Sequence, residues 1–295
     1  MKTYLLLLAV MSFISVNGQQ DMHITEQLLN GTIRIETSNK SGSSTGTGFF
    51  FNFYADTENK IPLPVIITNK HVVNGFDSIR LYFRKTIGDR PDYGAPYIVT
   101  IPNNSSTVIQ HPNKDIDLVA IPTGVIYNEL EKKGITLYCI AADESRIPDD
   151  STQKLELKPI EDILMIGYPN GLWDEKNNMP IVRKGVTATT PYLDYNGKRE
   201  FLIDIAAFGG SSGSPIIFYR DIYTDKNYVP KVGLKLYLLG ILYAGPLYTL
   251  DGNVIKSDPT DKTIYPKIKT SITMNLGYVI KASELLEFKK ILLRK

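Results

Sequence analysis

The run Gly209-Gly210-Ser211-Ser212-Gly213-Ser214-Pro215, together with where the histidines lie relative to it, constrains this chain more than any other feature. A serine held in a glycine-flanked turn has an exposed hydroxyl, and the surrounding backbone N–H groups are free to bind a developing oxyanion. Such a hydroxyl is a weak nucleophile until a neighbouring base takes its proton. The chain has three histidines, His23, His71 and His111, and all precede residue 209. Gly209-Gly210-Ser211-Ser212-Gly213 also fits a strand-to-helix nucleophile elbow with Ser211 at its centre, but that fold places its histidine after the serine. The elbow reading is therefore excluded.

His71 lies in Thr68-Asn69-Lys70-His71-Val72-Val73, and an acidic pair lies in Asp115-Ile116-Asp117-Leu118-Val119-Ala120-Ile121. His71 is the best-placed base, and either Asp115 or Asp117 can orient it. The order histidine, aspartate, serine is one of three orders in which this chemistry recurs on unrelated folds. His111 precedes Pro112 and reads as a loop histidine; His23 reads as solvent-exposed near the mature N-terminus.

Short runs rich in Val, Ile, Phe and Tyr recur between Gly, Pro, Asn and Asp. They are Gly48–Phe53, Val65–Thr68, Ser78–Phe83, Leu118–Ile121, Ile163–Ile166, Phe201–Ile205, Pro215–Tyr219 and Leu236–Tyr243. This is the pattern of an all-β barrel or sandwich protein. A long amphipathic helical pattern appears only from Ala282 through Phe288 into Lys289–Lys295, with Ser283 as its cap and basic residues at its C-terminus. Residues 126–134 suggest a second short helix. Glu144–Pro159 is polar and turn-rich, and reads as the connection between two halves.

With 295 residues, 43% of them hydrophobic, the chain can bury a sizeable core. A net charge of +2 gives no case for nucleic acid or an anionic membrane as partner. Lys2, the apolar run Leu5-Leu6-Leu7-Leu8-Ala9-Val10 and Val16-Asn17-Gly18 read as a signal peptide over residues 1–18, cleaved near Gly18. The apolar run is short for a membrane span, so no stable membrane anchor is expected. Cys139 is the only cysteine, so no intramolecular disulfide can form. There is no metal-ligand spacing of the zinc or calcium kinds, and serine-based hydrolysis requires no cofactor.

These segments resemble the chymotrypsin-like serine peptidases at their disulfide-free, HtrA-type end, without a PDZ module. That family's G-x-S-G-[GS]-P pattern carries the nucleophile as its third residue, which is Ser212 here. Its T-x-x-H pattern falls on Thr68 through His71. Its D-[IL]-A-[LV] pattern falls on Asp117-Leu118-Val119-Ala120, with the last two types exchanged. Gly46-Thr47-Gly48-Phe49-Phe50, Gly167-Tyr168-Pro169-Asn170-Gly171 and Asn275-Leu276-Gly277-Tyr278-Val279-Ile280 are similar to other family segments.

The resemblance implies two antiparallel Greek-key β-barrels followed by a C-terminal α-helix. The peptidase domain would span 19–295, with a first barrel at about 28–143, a connection at about 144–159 and the remainder at about 160–295. It implies a triad of His71, Asp117 and Ser212, and an oxyanion hole from the N–H groups of Gly210 and Ser212. The substrate is a polypeptide, cleaved by an exported (secreted or periplasmic) endopeptidase. The pocket floor falls on Ala206, six residues before the nucleophile, and the facing strand on Tyr243, Ala244 and Gly245. No acid at the floor disfavours Arg or Lys and suggests a small or apolar preference. Glutamate specificity and a catalytically silent peptide-binding barrel are the rivals. Ser211 stands where the trypsin branch has an aspartate, so that branch's zymogen switch is not expected. Leu247–Thr270 reads as a proline-punctuated insertion that can reach the pocket, with Asp251, Asp258 and Asp261 as the acids it could bring.

Overall fold

A computed structural model describes residues 22–56, 58–224, 229–253 and 267–294. The signal-peptide segment, Asp258 and Asp261 lie outside the described residues.

The first half is a ten-stranded sheet. It starts with a hairpin, Thr32–Asn39 against Gly42–Asp56, in register from Thr32↔Phe49 to Asn39↔Gly42. The Asn39 side chain closes this tight turn by accepting the N–H groups of Ser41 and Gly42, the local bonding that suits asparagine to turns. The hydrogen-bonded order runs Arg90–Pro91, Ser78–Ile87, Thr32–Asn39, Gly42–Asp56, Ile61–Thr68, Val119–Pro122, Ile109–Gln110. Tyr97–Pro102 and Leu137–Tyr138 also pair with Ser78–Ile87. Ala142–Asp143 pairs with Gly42–Asp56, and does so in parallel.

The second half is a closed six-stranded barrel: Asp162–Gly167, Ile181–Thr187, Glu200–Asp204, Leu276–Lys281, Pro230–Ala244, Pro215–Thr224 and back to the first. Leu276–Lys281 seals the ring by pairing on both sides, Ile203↔Gly277 and Ile241↔Ile280. The protein is thus all-β in two successive sheets with a helix at its C-terminal end.

Period-two alternation along Gly42–Asp56 decides how the halves join. Phe50 faces the N-terminal core with Ile33, Ile35, Ile66, Ile79, Leu81 and Phe83. Phe49, Phe51 and Phe53 face the other way. They share a core with Leu238, Ile241 and Ile280 of the barrel and with Leu285 and Phe288 of the C-terminal segment. The two halves are therefore welded through one apolar cluster. A third cluster, including Ile163, Met165, Phe201, Ile203, Phe218 and Val279, fills the barrel.

The expected strands are present, usually extended by one or more residues. The short helix expected at 126–134 is Gly124–Glu131. One local reading needs correction, and two gain detail. The polar connection holds a 3₁₀ turn, Glu144–Arg146, and a helix, Asp150–Glu156. The Asp149 carboxylate caps that helix by accepting the Thr152 N–H at 2.7 Å. Ser283 does not cap the final helix. It lies inside a 3₁₀ turn, Ala282–Leu285, that runs into Leu286–Leu292, and its hydroxyl accepts from Arg199 at 2.8 Å. The described ends of the expected insertion form a separate two-stranded ribbon, Leu247–Asn253 with Lys267–Thr273, where Asp251 is exposed.

Candidate active site

The strands Ile61–Thr68 and Val119–Pro122 lie side by side with Thr68 opposite Val119. Residues just after Thr68 therefore face residues just before Val119. His71 sits in the single helical turn Lys70–Val73, and Asp117 lies in the loop two residues ahead of its strand. Asp117 Oδ2 is 2.5 Å from His71 Nδ1, and its Oδ1 accepts the His71 backbone N–H at 3.0 Å. Asn69 Nδ2 donates to the Asp117 carbonyl at 2.8 Å. A carboxylate only accepts, so the proton sits on Nδ1, and in the neutral ring Nε2 carries the lone pair. The imidazole is half exposed, with Nε2 available as a base. Asp115 is exposed, and its N–H is taken by the Asn113 side chain. Of the two acids, the structure brings Asp117 to the histidine.

The serine run forms a tight loop leading into Pro215–Thr224. Gly210 and Gly213 have φ of +80° and +89°, a region that L side chains resist. Thr47, fully buried in the first half, organises this loop. Its hydroxyl donates to the Gly210 carbonyl at 2.9 Å and accepts the Tyr168 N–H at 3.0 Å. Its N–H donates to the Ser212 carbonyl at 2.9 Å, and its own carbonyl accepts the Thr68 hydroxyl at 2.7 Å. A Cβ added at Gly213 would stand 1.9 Å from the Thr47 carbonyl and 2.7 Å from the Thr68 hydroxyl. The serine loop is thus jammed against the strand end that leads to His71.

On the other side, Tyr168-Pro169-Asn170 supports the loop. Asn170 N–H donates to the Gly209 carbonyl at 2.5 Å, and a Cβ on Gly210 would be 2.5 Å from the Tyr168 carbonyl. Ser211 and Ser214 are buried, and their hydroxyls have no partner among the described residues. The Ser212 hydroxyl is partly buried and donates at 3.5 Å to the Tyr243 carbonyl; no bond to His71 is formed among the described residues. The N–H groups of Ser211, Gly213 and Ser214 are taken by Phe208, Leu242 and Ser211 carbonyls. Those of Gly209, Gly210 and Ser212 donate to no acceptor among the described residues. Three unclaimed donors therefore remain at this turn, Gly210 and Ser212 among them.

At the expected pocket, Ala206 and Ala207 are buried. A Cβ on Gly245 would lie 2.8 Å from Ala207 Cβ, so the two expected walls touch. Ala244 continues that wall opposite Tyr278. The Tyr243 hydroxyl donates to Glu200 at 2.6 Å, and burial together with this carboxylate pushes its pKa far up. The Asp117 charge adds to this in the same direction. Arg183 was not legible in the sequence as part of this region. Its guanidinium donates to the Ala206 carbonyl and lies 5.1 Å from the Phe208 ring centre, and burial lowers its pKa. Among the described residues it has no carboxylate partner, and no cluster of His, Cys, Asp and Glu suits a metal ion.

Residues 46–221 match the model of the trypsin-like peptidase domain. The chain belongs to that family. No curated protein sequence matches it. Solved structures similar to this trypsin-like domain include a serine endoprotease from Yersinia pestis, at 14% identity and a TM-score of 0.45, covering 91% of this chain and 66% of that one. The HtrA-type protease AlgW with tripeptide aligns at 16% identity and a TM-score of 0.46, covering 90% and 60%. The active form of the Rv3671c protease from M. tuberculosis aligns at 15% identity and a TM-score of 0.41, covering 92% and 84%. This trypsin-like chain spans just under two thirds of the Yersinia enzyme and three fifths of AlgW.

Proposed function

We propose that the protein is an exported serine endopeptidase that hydrolyses polypeptides through an acyl-enzyme. Ser212 attacks, His71 takes and returns the proton, and Asp117 holds the imidazole tautomer and stabilises the imidazolium. The Gly210 and Ser212 N–H groups bind the oxyanion. The observation that carries this reading is the doubly hydrogen-bonded His71–Asp117 pair, next to a glycine loop in which the N–H groups of Gly210 and Ser212 are unclaimed among the described residues. Turnover requires the Ser212 hydroxyl to leave the long contact with Tyr243 and point at His71 Nε2. The signal-peptide pattern supports export. No helix among the described residues is long and apolar enough to cross a membrane.

A fluorophosphonate probe tests the reading directly. Wild type should be labelled, and Ser212→Ala should not be, while melting at an unchanged temperature. Ser211→Ala should be labelled normally and melt no lower, because it removes a buried hydroxyl without a partner. Absence of labelling in wild type would favour a silent peptide-binding barrel. Labelling of Ser212→Ala but not Ser211→Ala would move the nucleophile.

The contact between Gly245 and Ala207 supports a narrow pocket, with small or medium apolar residues preferred on the acyl side of the cleaved bond. One observation favours a second reading: Arg183 beside Ala206 has no acidic partner among the described residues, and a glutamate side chain would supply one. Peptide-library profiling separates the two. Cleavage after Ala or Val supports the narrow apolar slot, and cleavage after Glu that disappears in Arg183→Gln supports the acidic one. Dominant cleavage after Lys or Arg would overturn both.

A further inference from the structure

His111 lies in a loop, as expected, yet it is not a surface histidine. It is buried, with a side chain only 1% exposed, and sits at the start of the turn that carries Asp117. Its Nδ1 lies 3.2 Å from the Asn113 N–H and its Nε2 lies 3.1 Å from the Glu284 carbonyl. With Nε2 as donor to the Glu284 carbonyl, Nδ1 can accept the Asn113 N–H, and Nδ1 also lies 3.3 Å from the Asn113 carbonyl. Its backbone N–H is taken by the Leu118 carbonyl at 3.0 Å, so residues 111–118 form a closed turn. Glu284 belongs to the 3₁₀ turn directly after the strand that seals the barrel. The turn around Asp117 is therefore tied across the junction of the two halves by one imidazole. The Phe288 ring stands edge-on to it at 5.3 Å.

The charged groups around it fit a fixed anchor. The Glu284 carboxylate is 3.8 Å from Nε2 and is itself held by Arg199 at 3.0 Å. Lys70, the residue before His71, donates to the Asn113 and Lys114 carbonyls at 3.0 and 3.3 Å, clamping the same turn from the histidine side. Asp115 faces outward.

We propose that His111 is a positioning residue for Asp117, pinning the turn that presents this carboxylate to the segment after the last barrel strand. The proposal rests on the triad reading above. It requires that loss of the two ring hydrogen bonds let Asp117 drift relative to His71, and displacements on the order of 1 Å cost up to about a hundredfold in rate.

The test uses the mature protein with His111→Phe, His111→Leu and His111→Gln. The first two fill the space without hydrogen bonds, and the third keeps a donor for the Glu284 carbonyl. The first readout is the far-downfield proton resonance of the His71 Nδ1–H···Asp117 hydrogen bond, which needs no turnover. It should move or broaden in the apolar variants and return in His111→Gln. The second is kinetic: kcat falls about tenfold or more in the apolar variants with KM little changed, and His111→Gln recovers most of it. Unchanged resonance and kcat in a folded apolar variant overturn the proposal. So does the absence of a cooperative melting transition in both apolar variants, since His111 would then be a folding determinant instead. A wild type unlabelled by fluorophosphonate refutes the peptidase reading, while the resonance still judges His111.

Discussion

Asp115 and Asp117 are two residues apart and identical in type, yet only one carboxylate meets an imidazole. The difference lies in the pairing of Thr68 with Val119, which points Asp117 at the turn containing His71. Loss of the orienting carboxylate in such triads costs roughly 10⁴-fold in turnover. Asp117→Asn is therefore expected to lose about that much in kcat, and Asp115→Asn to stay near wild type, as measured with one peptide substrate. Equal turnover in the two variants would break the assignment. In the sequence only the family's pattern favours Ser212 over Ser211, and in the structure their surroundings differ: Ser211 is enclosed and Ser212 is partly exposed.

At the level of elements, the strand Gly42–Asp56 does more than build the first sheet. Through Thr47 it fixes the Gly210 carbonyl, the Ser212 carbonyl and the Tyr168 N–H at once. Thr47→Val keeps the shape but removes the hydroxyl, leaving a buried carbonyl and a buried N–H unpaired. Each such orphan costs roughly 1–3 kcal/mol, so the melting temperature should fall and kcat with it. A variant with wild-type stability and rate would show that the loop holds itself. Most strands were legible because period-two runs bounded by turn residues survive in any environment. The helix Asp150–Glu156 was not, because it is short and polar, and its only sign was a capping aspartate inside a run that also suits a loop. The roles of Thr47, Lys70, His111 and Arg183 were invisible for a different reason. Each depends on partners many residues away, and nothing in a threonine or an arginine taken alone announces a distant carbonyl.

For the whole molecule, the absence of disulfides puts the weight on the apolar cluster that Phe49, Phe51 and Phe53 share with the barrel. Cys139 packs against the N-terminal core, and burial pushes its thiol up to about 12, which keeps it out of thiolate chemistry at neutral pH. Neither EDTA nor dithiothreitol should change the hydrolysis rate, and a thiol reagent should modify Cys139 only after denaturant is added. Activity lost to EDTA and restored by zinc or calcium would reveal a metal site, and rapid labelling of the native thiol would contradict the packing.

The strand that seals the barrel, Leu276–Lys281, also sets when the second half can close. A chain emerging N-terminus first can form the His71–Asp117 pair early, since both residues and their strands belong to the first half. Ser212 follows, but Glu200–Asp204 and Pro230–Ala244 each keep a raw edge until residues 276–281 arrive to bridge them. Only then does the wall strand acquire its second neighbour. The second half is thereby the last part of the site's frame to be enclosed, because strand order leaves its barrel open until residues 276–281 are in place.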